Sequence, residues 1–521
     1  MSRKKAKHPI FLIFLTFLAV FLVVVVIVQL KAKTLVEDFL ERKLPAHVEL
    51  DYQDMDVNVW KGTIGLEDIS IRLFDRDSVL MNTEVSMQAI TLHGLSYWQF
   101  FVNQHIAVDE LKLRQPQIDH YLHKVLPKEN DDPQGVVQLL KTIEIKVLKV
   151  SDGRLKLFQE GKDSIAFQTE AINFNLMEAQ TGPEKIKEKI PIIYSSYNLA
   201  SENLFVDLGP FEELKVDAIS LKNGNAGIKN LDLHSKFDKA KLSEEIKTQH
   251  DHISLKIPEI TLDSIQVGFR KDSLFIVTGL GNINGPKAEI FRDKLVTEDR
   301  THKRLYSEML RELPIHIDIP KVKVADGNLV YSEQVETIVA PGEITFNDIN
   351  ATLQNITNKS QNGNKTRVSI DAKLMNHAPI DLDWSFDVSK ENDPFTASGV
   401  IKNFKTSSIN DFLESNLRAR AKGTIDRMYF TVSGNVISSA GDMKMKYDDF
   451  EFSVLKKNKL GVNKLLTFLG NIFINDGSRA DEDGFRYGSI EVERDPTKSF
   501  FNYLWLNVRE GTVNTLVSKG K

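Results

Sequence analysis

No cysteine occurs among the 521 residues of this chain. Disulfides, thiolate nucleophiles and cysteine-ligated metals are therefore excluded. The chain also lacks a G-x-S-x-G elbow, and Gly161-Lys162 is followed by Asp163 rather than Ser or Thr, so it is not a phosphate loop. Twelve histidines are scattered. His120 with His123 and His250 with His252 stand apart from carboxylates at zinc-site spacing, so no metal is expected. Asp476 to Gly484 lacks the spaced ligands and closing Glu of a calcium loop. No nucleophile, metal or cofactor constellation appears, and a non-enzymatic role without cofactor is expected.

Long apolar runs are absent after residue 30. Before it, Ile10 to Leu30 form 21 residues broken only by Thr16 and Gln29. At about 1.5 Å per residue such a helix is about 31 Å long, enough to cross a bilayer core. The run ends in Gln29-Leu30-Lys31-Ala32-Lys33, without the small residues of a signal cleavage site, so it reads as an uncleaved anchor. Arg3, Lys4, Lys5 and Lys7 precede it and Lys31 and Lys33 follow it, which places the N-terminus in the cytoplasm and the remainder outside.

Beyond Lys33 the charge changes sign. With those six basic residues set aside, 61 Lys and Arg face 72 Asp and Glu, a net charge of −11. An acidic ectodomain without a basic stripe excludes nucleic acid as a partner.

Thr34 to Leu44 predicts a short amphipathic helix: Thr34 and Glu37 have capping-box spacing, and Pro45 stops it. From Val48 the period switches to two, the signature of strands with one apolar face. The alternation slips at Gln53-Asp54, Glu67-Asp68, Asn347-Asp348 and Asp448-Asp449. A slip of one residue would turn apolar side chains to the other face, so each pair predicts a bulge or tight turn that restores them.

Two stretches nearly coincide: VSDGRLKL from Val150 to Leu157, and VADGNLVY from Val324 to Tyr331. Asp152-Gly153 and Asp326-Gly327 between alternating runs predict hairpin turns. Gln115-Pro116 and Lys61-Gly62 occupy the same place in weaker copies. Helical spacing predicts helices over Arg304 to Leu313, Leu460 to Ile474 and Thr497 to Leu516, and charged loops are expected over Lys128 to Gly135 and Thr181 to Pro191.

At least fifteen strands, each with one apolar face, exceed what three or four helices can cover. Sandwiches, a closed barrel or a sheet curled into a trough remain, and repetition without obvious linkers favours the trough. The expected fold is mainly β. One N-terminal transmembrane helix precedes a long repetitive antiparallel sheet, with a few short helices and a helical C-terminus. The expected segments are 1–33 as cytoplasmic tip and anchor, 34–47 as juxtamembrane helix, 48–455 as β-groove and 456–521 as a helix-rich cap with one strand. Apolar surface left in water costs about 25 cal/mol per Å², so something apolar should fill such a trough.

VNVWKGTIGLEDISIRL, Val57 to Leu73, the Val-x-Asp-Gly repeats, and SGNVISSAGDMKMKYDDFEFSVL, Ser433 to Leu455, are similar to segments of the AsmA-like family, the TamB-related envelope proteins. The resemblance implies a bacterial inner-membrane anchor and a periplasmic β-groove. It also implies phospholipid as ligand, and lipid transport or outer-membrane biogenesis as role. The alternative is an envelope scaffold that holds protein partners by strand addition at its edges. From alternation, the groove-facing residues are Ile143, Ile145, Leu155, Leu157, Ile317, Ile319, Leu329, Phe346, Met443 and Met445. Tyr503 and Trp505, within the apolar FFNYLWLNV, are the expected membrane or partner contacts.

Overall fold

A computed structural model describes residues 26, 29, 31–34, 36–38, 40, 44, 47–74, 80–96, 99, 105–122, 142–161, 163–270, 273–358, 365–455 and 480–517. Most of the run from Ile10 to Leu30 and the whole of Leu460 to Ile474 lie outside these residues, as does the loop from Lys128 to Gly135. No helix among the described residues is long and apolar enough to cross a membrane. The protein is mainly β, and the described residues form 24 strands of mixed pairing and few short helices. The chain divides into two compact units, Met1–Asp207 with Ala218–Asn223, and Leu208–Asp217 with Gly224–Lys521.

In the first unit, β1 (Val48–Asp51) and β2 (Asp54–Asn58) form one interrupted strand antiparallel to β3 (Thr63–Phe74). β3 pairs with β4 (Met81–His93). A second interrupted strand, β5 (His105–Arg114) and β6 (Gln117–Tyr121), pairs antiparallel with β4. Both segments then run parallel to the long β7 (Thr142–Phe158). β8 (Ile165–Thr181) and β9 (Ser196–Asp207) complete the ladder with antiparallel pairs. β10 (Glu212–Lys222) contributes residues to both units.

In the second unit, β11 (Asn225–Ser235) pairs with β12 (His252–Leu262), and helix α1 (Lys239–Glu245) lies between them in sequence. β13 (Gln266–Arg270) and β14 (Ser273–Val277) form a hairpin. β15 (Leu280–Asn284) and β16 (Lys287–Asp293) form a third interrupted strand on β12. β14, β15 and β16 all run parallel to the 19-residue β17 (His316–Gln334). From there the pairs are antiparallel in chain order: β18 (Gly342–Thr357), β19 (Thr366–Leu374), β20 (Ala378–Phe386), β21 (Phe395–Lys405), β22 (Ala419–Gly434), β23 (Ser438–Val454) and β24 (Arg486–Glu493). Three more helices are α2 (Tyr306–Arg311), α3 (Asn410–Leu417) and α4 (Phe500–Val517). The predicted helices over Arg304 to Leu313 and Thr497 to Leu516 correspond to α2 and α4.

The expected antiparallel sheet is thus corrected to a mixed one. The strands before β7 and β17 return in the same direction because a crossover, not a hairpin, joins them. The hairpins expected at Asp152-Gly153 and Asp326-Gly327 are corrected too. β7 and β17 run straight through those pairs. A two-residue hairpin of the expected type needs positive φ at both residues. Here Asp152 and Asp326 both have φ 56, while neither glycine is in the left-handed region. One left-handed residue makes a bulge, and the register of β7 on β8 and of β17 on β18 shifts there. Of the four expected turns only Lys61-Gly62 lies in a hairpin, between β2 and β3.

The polar pairs do restore the apolar face. Asp68, Asp348 and Asp449 have φ of 48, 52 and 45. Leu66 and Ile69, three apart, are both buried in one cluster with Met55, Val57 and Met87. Tyr447 and Phe450 likewise share the core of the second unit. Asp tolerates this conformation because its short polar side chain bonds locally.

Candidate functional site

Residues directly opposite on neighbouring strands share a face, so the ladder registers trace how far an apolar surface extends. In the first unit one row runs through Met55, Leu66, Ile90, Leu113, Val150, Phe174 and Leu199. The next runs through Val57, Ile64, Leu92, Leu111, Leu148, Leu176 and Tyr197. Ile145 lies between Val108 and Ala179, and Leu155 between Ile118 and Thr169. Ile143, Ile145, Leu155 and Leu157 therefore share a face, although the alternation of β7 slips twice between them. Glu178, opposite Lys146 on β8, has φ 52 and accounts for the first slip, and Asp152 for the second.

On the opposite face of β7, Lys146, Lys149 and Asp152 are exposed. At the same places in β17, 174 residues on, Pro320, Lys323 and Asp326 are exposed. Ile317, Ile319 and Leu329 are half-buried, as are the four expected groove residues of β7. In the second unit a row passes from Ile228 through Ile260, Ile283, Val324, Ala351, Ile370, Leu382, Gly399 and Phe430 to Met443.

Different parts of this face are covered differently. In the first unit Ala32, Val36 and Leu40 pack on the cluster at β1–β4. Gln29 bonds the edge of β2 there: its amide donates to the Val57 carbonyl and accepts from the Val59 N–H at 3.1 Å. In the second unit α2, α3 and α4 supply Leu310, Leu413, Phe500, Tyr503 and Leu516 to one core over β19–β24. On β7 and β8, by contrast, the apolar residues are mostly half-buried rather than enclosed.

This division corrects three of the expected contacts. Met443 and Met445 are 1% and 0% exposed, enclosed by β22, β24 and α4. Tyr503, expected at a membrane or partner surface, is 1% exposed and packs edge-on to Phe395 at 5.6 Å. FFNYLWLNV is apolar on its sheet-facing side because α4 seals a core. Trp505, on the same helix, is half-buried, and Phe346 is a half-buried neighbour of that core. Backbone contact holds the helix close. A Cβ on Gly488 would stand 2.5 Å from the Thr515 nitrogen and 2.7 Å from the Gly511 carbonyl oxygen.

Both apolar faces end in polar groups near the C-terminal end of the long strand. In the first unit His120, beside Leu157, meets the Thr83 hydroxyl at 2.9 Å. In the second, Tyr331 donates to Glu333 at 2.6 Å, and Lys294 pairs with Glu333 at 2.8 Å. Arg292 donates twice to Asp251, at 2.6 and 2.7 Å. Burial opposes the Arg292 charge, but the Asp251 hydrogen bonds outweigh it and hold the guanidinium firmly protonated. Burial and the Glu333 carboxylate together push the Tyr331 hydroxyl well up. The Arg292, Lys294 and Tyr331 contacts are charge-assisted pairs at the rim of an apolar surface. No group of three or more potential metal ligands occurs among the described residues.

Sequence reasoning missed the partner of each bulge. The Gln115 N–H donates to the Ser151 carbonyl and the Arg154 N–H to the Pro116 carbonyl, both at 2.8 Å. In the second unit the Gly285 N–H donates to the Ala325 carbonyl and the Asn328 N–H to the Pro286 carbonyl, again both at 2.8 Å. Gln115-Pro116 is therefore no copy of the Asp-Gly pair but the joint of the neighbouring strand. Its counterpart Gly285-Pro286 shares only the proline, too little to find by sequence. Neither known protein-family models nor the curated proteins yield a match to this chain.

Proposed function

We propose that this chain is an inner-membrane-anchored envelope protein whose apolar sheet face holds phospholipid acyl chains, in support of lipid transport or outer-membrane biogenesis. The observation that carries this reading is the continuity of the apolar rows across β4–β9 and β11–β18, backed by an outer face of exposed Lys and Asp. The membrane-length apolar run supports it as well, because the residues that follow that run pack onto the same face at Ala32, Val36 and Leu40. Each methylene kept out of water on such a face is worth about 0.8 kcal/mol, so the face can shelter an acyl chain that has left a bilayer. The resemblance to AsmA-like proteins points the same way. In this reading the face holds a ligand and passes it on rather than transforming it.

The test places a photo-crosslinking amino acid in the full-length chain, in bacterial cells grown with radiolabelled phosphate. At Ile145 and Ile319, irradiation is expected to attach labelled phospholipid. At Lys149 and Lys323, on the outer face, it is not. Equal labelling of both faces, or none at Ile145 and Ile319, refutes the reading. Protein adducts at those two positions would instead assign the face to a polypeptide partner.

A further inference from the structure

We infer that the lipid-binding face is a duplicated site: two equivalent segments, one in each compact unit, each holding its own phospholipid. The inference rests on the lipid reading above and adds the number and position of the ligands.

The duplication is read from geometry. In each copy an interrupted strand with an X-Pro joint runs parallel to a long strand with an Asp-Gly bulge, and an antiparallel strand follows. The bulge is held alike in both. The Asp152 N–H donates to the Asn173 side-chain oxygen at 3.3 Å, and the Asp326 N–H to that of Asn350 at 3.3 Å. Those asparagines donate in turn to the carbonyls of Ala171 and Asp348, at 2.9 and 3.1 Å. Ala171 and Asp348 are left-handed, with φ 47 and 52. Seven residues on, Glu178 and Asn355 are left-handed too, with φ 52 and 56.

These conserved distortions set which side chains face the ligand. Leu148 pairs with Leu176 in the first copy, and Val322 with Leu353 in the second. Each copy presents the same sequence of inward apolar positions and ends in a polar rim, His120 with Thr83 in one and Tyr331 with Glu333 in the other. An amphipathic ligand fits a surface of that order: apolar along the strand, polar at its end. The residues that follow the membrane-length run pack on β2–β4, on the apolar face that continues into the first copy through the Leu66–Ile90–Leu113–Val150 row, which supports an acyl chain as the occupant there. The second copy repeats the same surface and takes the same class of ligand.

Native mass spectrometry of the full-length protein, released from detergent micelles, counts bound phospholipid. Two per chain are expected. Leu148→Trp and Val322→Trp fill the inward face without introducing charge. Each is expected to leave one phospholipid, and the double variant none. Retention of one lipid in each single variant also shows that the other unit is folded. Lys149→Glu, on the outer face, should retain two. One lipid in the wild type, more than two, or loss of all lipid from either single variant overturns the duplicated site while leaving the lipid reading intact. A wild type with no phospholipid overturns both.

Discussion

Replacing the glycine of each Asp-Gly bulge should destabilise the protein, and to the same degree in both units. A Cβ added at Gly327 would stand 3.2 Å from the Ile349 Cβ and 3.3 Å from both the Ile349 carbonyl oxygen and the Pro286 Cγ. At Gly153 it would stand 3.3 Å from the Ile172 Cβ and the Pro116 Cγ, and 3.4 Å from a Val150 methyl. Ordinary contacts begin at 3.4 Å, so the neighbours must yield by a few tenths of an ångström. They are stiff, since two are a proline ring and a branched Cβ. Overpacking of this kind costs about 1–3 kcal/mol. Reduced freedom of the unfolded chain returns about 0.4–1 kcal/mol on replacing Gly by Ala. Gly153→Ala and Gly327→Ala should therefore each lose about 1 kcal/mol. Gly153→Val and Gly327→Val, with two further methyls against the same atoms, should lose about 3 kcal/mol. Amide hydrogen exchange on the full chain separates the two copies. At about 1.4 kcal/mol per tenfold, the valine variants should speed exchange about a hundredfold across the bulge when exchange follows local opening. Gly153→Val should affect β5–β8 alone, and Gly327→Val β15–β18 alone. Wild-type exchange in both valine variants, or sensitivity in one copy only, would refute the common packing argument.

Other consequences are as direct. Arg311 on α2 donates to Asp393 at 2.9 Å and to the Val388 and Lys390 carbonyls at 3.1 and 3.0 Å. Asp393 is 2% exposed, so Arg311→Ala strands a buried carboxylate and should cost about 3–5 kcal/mol, read as a fall in the thermal midpoint. An unchanged midpoint would show that water replaces the arginine. Gly488→Ala drives a methyl into the α4 backbone and should raise exchange along Phe500–Val517; retained protection there contradicts the close contact. The Lys215 hydrogen bond holds the Glu213 carboxyl below its ordinary range, against burial and with help from the Lys215 and His234 charges. Because the folded value is the lower one, this contribution is complete above the unfolded value of 4.5 and disappears as pH falls through the folded one. Glu213→Gln should flatten that part of the urea midpoint against pH, and an identical profile would place the acid sensitivity elsewhere.

Strand content, the apolar and charged faces, and the slips at Asp68, Asp348 and Asp449 are all legible in the sequence. They arise from nearest neighbours: alternation of period two, and a short polar residue that accepts a left-handed backbone. Seven of the expected groove residues, Ile143, Ile145, Leu155 and Leu157 of β7 with Ile317, Ile319 and Leu329 of β17, lie half-buried on their strands. What alternation cannot contain is the partner of a strand. Whether Asp-Gly turns the chain or merely bulges it depends on whether partner strands pair with the chain on both sides of it. That choice is made by contacts more than thirty residues away, such as Gln115 with Ser151. The same limit explains Met443, Met445 and Tyr503. Each is an apolar position in a well-formed element, and only the docking of α4 against Gly488 turns an inward face into a closed core. By itself the sequence determined that the strands exist and which faces are apolar. Tertiary structure alone decided which parts of those faces are sealed, because sealing requires a second element to arrive from elsewhere in the chain.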